Sequence, residues 1–112
     1  MSSRVGALLQ ESIAIKSAIL ADAPLLKQID KAGEILKKCA AQSGTIYACG
    51  NGGSACDAMH LTEELVARYK RDRPGIRAMH FMDPGTITCW SNDVEYHAVF
   101  ERYAHSNCGN KR

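Results

Sequence analysis

The residues with the most chemical potential lie between Cys49 and Arg68. Gly50-Asn51-Gly52-Gly53-Ser54 is a glycine-rich run that also carries an amide and a hydroxyl. Between a buried strand and a helix N-terminus, such a run is an anion site. Glycines admit close approach, free backbone N–H groups donate, and the helix dipole favours negative charge. Asn-Gly also makes plain hairpin turns, but the segment after this run has helical rather than strand character. Further on, His60 and Glu64 stand four residues apart, one turn along one helix face. An imidazole and a carboxylate so placed can share a divalent cation, and the carboxylate can act as a general base. The plainer alternative is a surface His–Glu pair, and Glu63 beside Glu64 suits it. Two ligands do not complete a zinc site, which takes three or four. Asn92-Asp93 offer groups that take sugar hydroxyls, or else cap a turn. His80 falls in a strand and reads as a core or lining residue, while His97 and His105 have no partner spacing.

These residues need elements to hold them. Leu8, Leu9, Ile13, Ile15, Ile19 and Leu20 mark a first helix, broken at Asp22-Ala23-Pro24. Leu25, Ile29, Ala32, Leu36 and Cys39 mark a second, with Gly44 as its stop. The first is apolar around much of its circumference, so a partner subunit is expected to cover it. Thr45–Cys49 reads as a buried strand. A helix is expected from Ser54, as its cap, to about Lys70, with Asp57 in its first turn and Arg73-Pro74-Gly75 ending it. Arg77–Met82 reads as a second strand and Asp83-Pro84-Gly85 as a turn. Thr86–Asp93 is ambiguous between helix and strand. Val94–Ala104 reads as helix, and the polar tail Asn107–Arg112 as frayed. Helix, helix, then βαβα predicts an α/β fold with a parallel sheet covered by helices. Two strands are few for such a sheet, so residues 44–112 read as the first half of a larger domain. Residues 1–43 form a helical segment ahead of it, assigned to oligomerisation.

The chain has 112 residues, 46% of them hydrophobic, which suits one modest domain and is small for a complete α/β enzyme. With 23% charged residues and a net charge of +2, nothing argues for nucleic acid or a membrane surface as partner. Arg68, Lys70, Arg71 and Arg73 read as a solvated helix end. The five cysteines show no CxxC pair and are expected to be free, buried thiols in a reducing cytoplasm. Neither a signal-peptide core nor a bilayer-length apolar run is present, so a cytoplasmic location is expected.

The run from Cys49 to His60, then Glu63-Glu64-Leu65, then Arg68-Tyr69, closely resembles the bacterial phosphoheptose isomerases, sugar isomerase (SIS) domain enzymes. Arg73-Pro74-Gly75, Asn92-Asp93 and Phe100-x-Arg102-Tyr103 are similar too, in the same order. Ala55, Trp90 and Ser91 depart from the family pattern. The resemblance implies a SIS-type, flavodoxin-like three-layer sandwich, of which this is the N-terminal half. It implies interconversion of sedoheptulose 7-phosphate and D-glycero-D-manno-heptose 7-phosphate through an enediol, toward the heptose of lipopolysaccharide. A homotetramer with active sites at subunit interfaces is implied as well. Residue by residue, Asn51, Gly52, Gly53, Ser54, Asn92 and Asp93 correspond to substrate contacts, and Arg68 to a pocket-lining one. His60 and Glu64 correspond to zinc ligands, with Glu64 also the base. The family's remaining zinc ligands and its acid have no counterpart in these residues, so the chain alone is expected to be inactive.

Two other readings stand beside this one. The first is a non-catalytic SIS-domain binding protein of the replication-initiator-associating type, although keeping His60 with Glu64 favours the enzyme lineage. The second is a dinucleotide-binding fragment. The loop lacks the Gly-Lys-Ser/Thr of a nucleotide P-loop, but Gly50, Gly52 and Ala55 fit a loose Gly-x-Gly-x-x-Ala. Asp83 would then be the ribose acid, somewhat late in sequence, and would have to face the loop.

Overall fold

The computed structural model describes residues 3–108. The chain falls into two compact units, Met1–Lys38 and Cys39–Arg112.

The first unit is made by α1 (Arg4–Leu20) and most of α2 (Ala23–Ala41). Ser3 caps α1 by accepting from the Gly6 amide at 3.2 Å. Asp22 caps α2, accepting from the Leu25 amide at 3.1 Å. Its side chain and Pro24 in the first turn explain why one helix ends and the next begins at the expected break. Neither helix has a buried residue among the described residues.

In the second unit β1 (Ile46–Ala48) and β2 (Ala78–His80) pair in parallel, with Ile46 opposite Ala78 and Ala48 opposite His80. The expected strands are present but shorter. Between them α3 (Gly53–Val66) packs on both strands through a face marked by buried Ala58 and Thr62. Thr62 satisfies its own hydroxyl by donating to the Ala58 carbonyl at 2.9 Å.

After β2, the stretch left open between helix and strand is helical, as α4 (Pro84–Asp93). Asp83-Pro84-Gly85 is therefore not a free turn. Asp83 caps α4 by accepting from the Thr86 amide at 2.8 Å, with Pro84 in the first turn. A 3-10 turn, Tyr96–Ala98, leads into α5 (Val99–Asn107). Of the expected tail, Asn107 closes α5, and residues 109–112 lie outside the described residues.

The core centres on buried Phe81, Val99 and Tyr103, with Tyr47, Ile87, Trp90 and Phe100 packed around it. Phe81 stacks between Tyr47 at 5.2 Å and Tyr103 at 4.8 Å between ring centroids. Tyr103 also donates its hydroxyl to the Asp83 carboxylate. That bond and the Thr86 amide hold the Asp83 carboxyl down to about 2. Loss of water, then Asp83 itself, pushes the Tyr103 hydroxyl up.

Candidate functional site

Parallel pairing puts the C-terminal ends of β1 and β2 at one edge of the sheet, where ligands of open α/β sheets bind. The glycine loop leaves β1 at that edge. A Cβ on Gly50 would lie 2.5 Å from the Ser54 carbonyl carbon, so only glycine lets the loop fold back on the first turn of α3. Gly52, with φ at 56°, is the residue before the helix and takes a left-handed conformation. It fills the capping place expected of Ser54. Ser54 instead lies inside the first turn, exposed like Asn51, Gly52 and Gly53. Asp57 lies beyond that turn. Among the described residues no side chain caps this helix start; the Ser54 amide donates to the Asn51 carbonyl at 3.0 Å, and the Ala55 and Cys56 amides donate to the Gly52 carbonyl at 3.0 and 3.2 Å.

Asn51 is held from a distance. Tyr96 donates its hydroxyl to the Asn51 side-chain carbonyl, across 45 residues of sequence. Tyr96 comes soon after Asn92 and Asp93, so this bond ties the segment carrying them to the loop. Asn92 donates to Asp93 at 3.2 Å, and the Cys89 thiol donates to the other Asp93 oxygen at 3.4 Å. The Asp93 carboxylate raises the Cys89 thiol, through that bond first and its charge second.

His60, Glu63 and Glu64 form a second station near the other end of α3. His60 Nε2 lies 3.1 Å from Glu64 Oε1. One donor atom from each of the three residues lies within 4.8 Å of the others. The cluster thus includes Glu63, which by sequence is indistinguishable from an exposed surface charge. One imidazole nitrogen and two carboxylate oxygens suit a borderline divalent cation such as zinc and leave a coordination position open. Glu64 is the sheltered member, its side chain 29% exposed against 71% for His60. It shares a cavity of about 420 Å³ with Arg68, Tyr69, Lys70, Arg71 and Asp72. Arg68 lines that cavity and pairs with Asp72 at 3.6 Å.

The two stations are well separated. Gly53 and Glu64 are 11 residues apart on one helix, or ~16 Å at about 1.5 Å per residue. The structure therefore groups Glu64 with His60, Glu63 and Arg68, and groups Asn51 with Tyr96 and the segment after Asp93. It does not bring one chain's loop onto its own Glu64.

The end of α3 is fixed from outside. The helix stops at Val66, earlier than the expected Lys70. Arg73 explains this. Its guanidinium donates to the Glu64 carbonyl at 2.8 Å and the Leu65 carbonyl at 3.1 Å. The Ile76 amide also donates to Leu65, at 2.9 Å. These groups take the carbonyls that another turn would have used. The chain then reverses tightly about Lys70, whose φ is 62°.

All five cysteines are free as expected, but four are exposed and Cys39 is half-buried, so they are not core thiols. His80 lies in β2 with its Nδ1 buried and without a partner among the described residues. Asp83 is engaged with Thr86 and Tyr103, which removes the ribose contact the dinucleotide reading needs. A further cleft of about 480 Å³, lined by Thr45, Tyr47, Val66 and Met79 among others, contains none of the candidate residues.

The phosphoheptose isomerase of Aeromonas hydrophila is 45% identical over 95 residues, covering 85% of this chain and 50% of that protein. That of Cytophaga hutchinsonii is 41% identical over 103 residues, covering 92% and 53%. The chain thus spans about half the length of the curated relatives it matches. Among solved structures, a phosphoheptose isomerase from Neisseria gonorrhoeae superposes with a TM-score of 0.79 at 31% identity, over 92% of this chain and 52% of that one. One from Francisella tularensis gives 0.82 at 26% identity, over 99% and 58%. The SIS domain pattern matches residues 9–109, and the chain belongs to the SIS domain family.

Proposed function

We propose that the protein carrying this chain is a phosphoheptose isomerase, interconverting sedoheptulose 7-phosphate and D-glycero-D-manno-heptose 7-phosphate. The observation that carries the reading is the cluster of His60, Glu63 and Glu64 on the helix that the glycine loop begins. The relatives and structural neighbours that share this half support it by name.

The chemistry comes from the groups. The Glu64 carboxylate takes the proton from the carbon beside the open-chain carbonyl, giving an enediolate; the hydroxyl proton on that carbon passes to the former carbonyl oxygen through the enediol, and Glu64 returns its proton to the former carbonyl carbon. The cavity it shares with Arg68 shelters that transfer. His60 and Glu64 would hold a zinc ion, and a Glu63 carboxylate oxygen lies close enough to theirs to join them. Bound zinc supplies a positive charge for the oxygens that become electron-rich. Asn51, Gly52, Gly53 and Ser54 hold polar groups of the sugar phosphate at the start of α3, and Asn92 and Asp93 hold sugar hydroxyls.

Loop and base lie ~16 Å apart along one helix, so a complete site pairs the loop of one copy with the Glu64 of another. That fits a homotetramer with sites at its interfaces, working in the cytoplasm on the route to lipopolysaccharide heptose.

The test is isomerisation of sedoheptulose 7-phosphate by the full-length protein, with and without zinc, for wild type and Glu64→Gln. Turnover is expected to fall at least ~100-fold in the variant, the usual scale of acid–base catalysis. Unchanged turnover in Glu64→Gln removes Glu64 as the base. A wild-type protein inert with zinc present removes the assigned activity.

A further inference from the structure

We propose that Tyr96 is a positioning residue for the glycine loop, fixing the Asn51 amide as a hydrogen-bond donor toward a ligand oxygen. The inference rests on the proposed sugar-phosphate reading for the ligand, and on the geometry for the contact.

Asn51 is exposed and sits between Gly50 and Gly52, so its own neighbours do little to restrain it. A carboxamide has a donor end and an acceptor end, and an untethered one presents either. The Tyr96 hydroxyl donates to the carbonyl oxygen of Asn51. With that oxygen engaged, the amide nitrogen is left to face an incoming oxygen. A hydroxyl or phosphate oxygen of a sugar phosphate is the matching acceptor.

Tyr96 is well placed to impose this. It opens the 3-10 turn Tyr96–Ala98, closed by the Ala98 amide on the Glu95 carbonyl at 3.2 Å. Three residues on, Val99 is 0% exposed and anchors the turn in the core. Tyr96 itself is 48% exposed, so its ring serves little purpose in packing. The tyrosine reaches out from a fixed base to a side chain that no residue of its own loop holds. Because Asn92 and Asp93 precede it closely, the same contact sets the spacing between both groups of expected substrate contacts. Such prior ordering lowers the cost of binding.

The experiment compares Tyr96→Phe, Asn51→Ala and the double variant in the full-length protein, reading KM and kcat separately. Tyr96→Phe keeps the ring and removes only the hydroxyl. KM for sedoheptulose 7-phosphate is expected to rise about five- to tenfold, as for loss of one ordering hydrogen bond, with a smaller change in kcat. In the Asn51→Ala background, Tyr96→Phe is expected to add nothing, because its effect runs through Asn51. Additive effects, or an unchanged KM in Tyr96→Phe, overturn the inference.

A second readout needs no substrate. The order parameter of the Asn51 side-chain amide, measured by 15N NMR relaxation, is expected to be higher in wild type than in Tyr96→Phe, because the bonded carbonyl oxygen holds the carboxamide in one orientation. If wild type does not turn over the heptose phosphate yet this difference is present, the assigned activity falls and the positioning contact stands. Equal order parameters overturn the contact whatever the activity.

Discussion

Asp83 shows how far a single residue's surroundings set its role. It accepts from the Thr86 amide and from the Tyr103 hydroxyl, and its carboxyl is held down to about 2. A depressed carboxyl stabilises the fold above its unfolded value near 3.8 and loses that contribution as pH falls toward 2. Asp83→Asn is therefore expected to melt below wild type at neutral pH. The gap should close between about pH 4 and pH 2, as wild type loses its charge. Thermal melts across that range check it, and a gap that does not vary with pH would contradict it. Sequence alone offered Asp83 as a turn residue or a ribose acid, because the tyrosine that claims it lies 20 positions away. His60 and Glu64 were legible for the opposite reason: helical spacing is local, and residues four apart always meet on a helix. Glu63 and Tyr96 were not. Glu63 looks like any exposed charge until its carboxylate is found beside the other two. Tyr96 fits a helical apolar pattern equally well, and only the folded chain brings it to Asn51.

Among the elements, α3 was the easiest to recognise and its end the hardest to place. A strand-like run, four residues rich in glycine and a helical stretch announce a βα unit without help from the rest of the chain. The end depends on Arg73, which returns from the succeeding loop to occupy the Glu64 and Leu65 carbonyls. Arg73→Ala is expected to cost about 2 kcal/mol, the scale of charge-assisted hydrogen bonds to partly buried carbonyls. A urea denaturation midpoint measures this, and Arg73→Lys is expected to recover only part, since an ammonium lacks the planar fork. No shift in the midpoint would mean that the helix end holds without its clasp. The stretch after Asp83 was ambiguous because Thr86, Ile87 and Thr88 are β-branched and favour strand locally. The Asp83 cap and Pro84 decide for helix, which shows capping outweighing propensity over a short segment.

At the scale of the whole molecule, the apolar side chains of α1 dominate. Leu8 and Leu9 are each 59% exposed, Ile13 55% and Ile15 58%. Contiguous apolar surface of that kind marks an interaction site more often than a solvent-facing one. The expected outcome is self-association, read as a mass above that of one chain by light scattering. Replacing Leu8 and Ile13 with aspartate should shift the distribution toward monomer while leaving the second unit's circular dichroism signature. A monodisperse monomer for the unaltered protein contradicts the tetramer assignment. The apolar surface itself was readable in the sequence, since Leu8, Leu9, Ile13 and Ile15 spread around much of the helix circumference. The sheet was readable as parallel from element order alone, and the pairing of Ile46 with Ala78 bears it out.

The thiol beside Asp93 also makes a clock. A thiol reacts with alkylating reagents as its anion, and Asp93 disfavours that anion at Cys89. Iodoacetamide should therefore label Cys89 more slowly than the exposed Cys49 and Cys56, and Asp93→Asn should hasten it. A ligand that draws the Asp93 carboxylate away from Cys89 should hasten it too. Mass spectrometry of the labelled peptides would then report occupancy beside Asp93 in real time, without any turnover to measure.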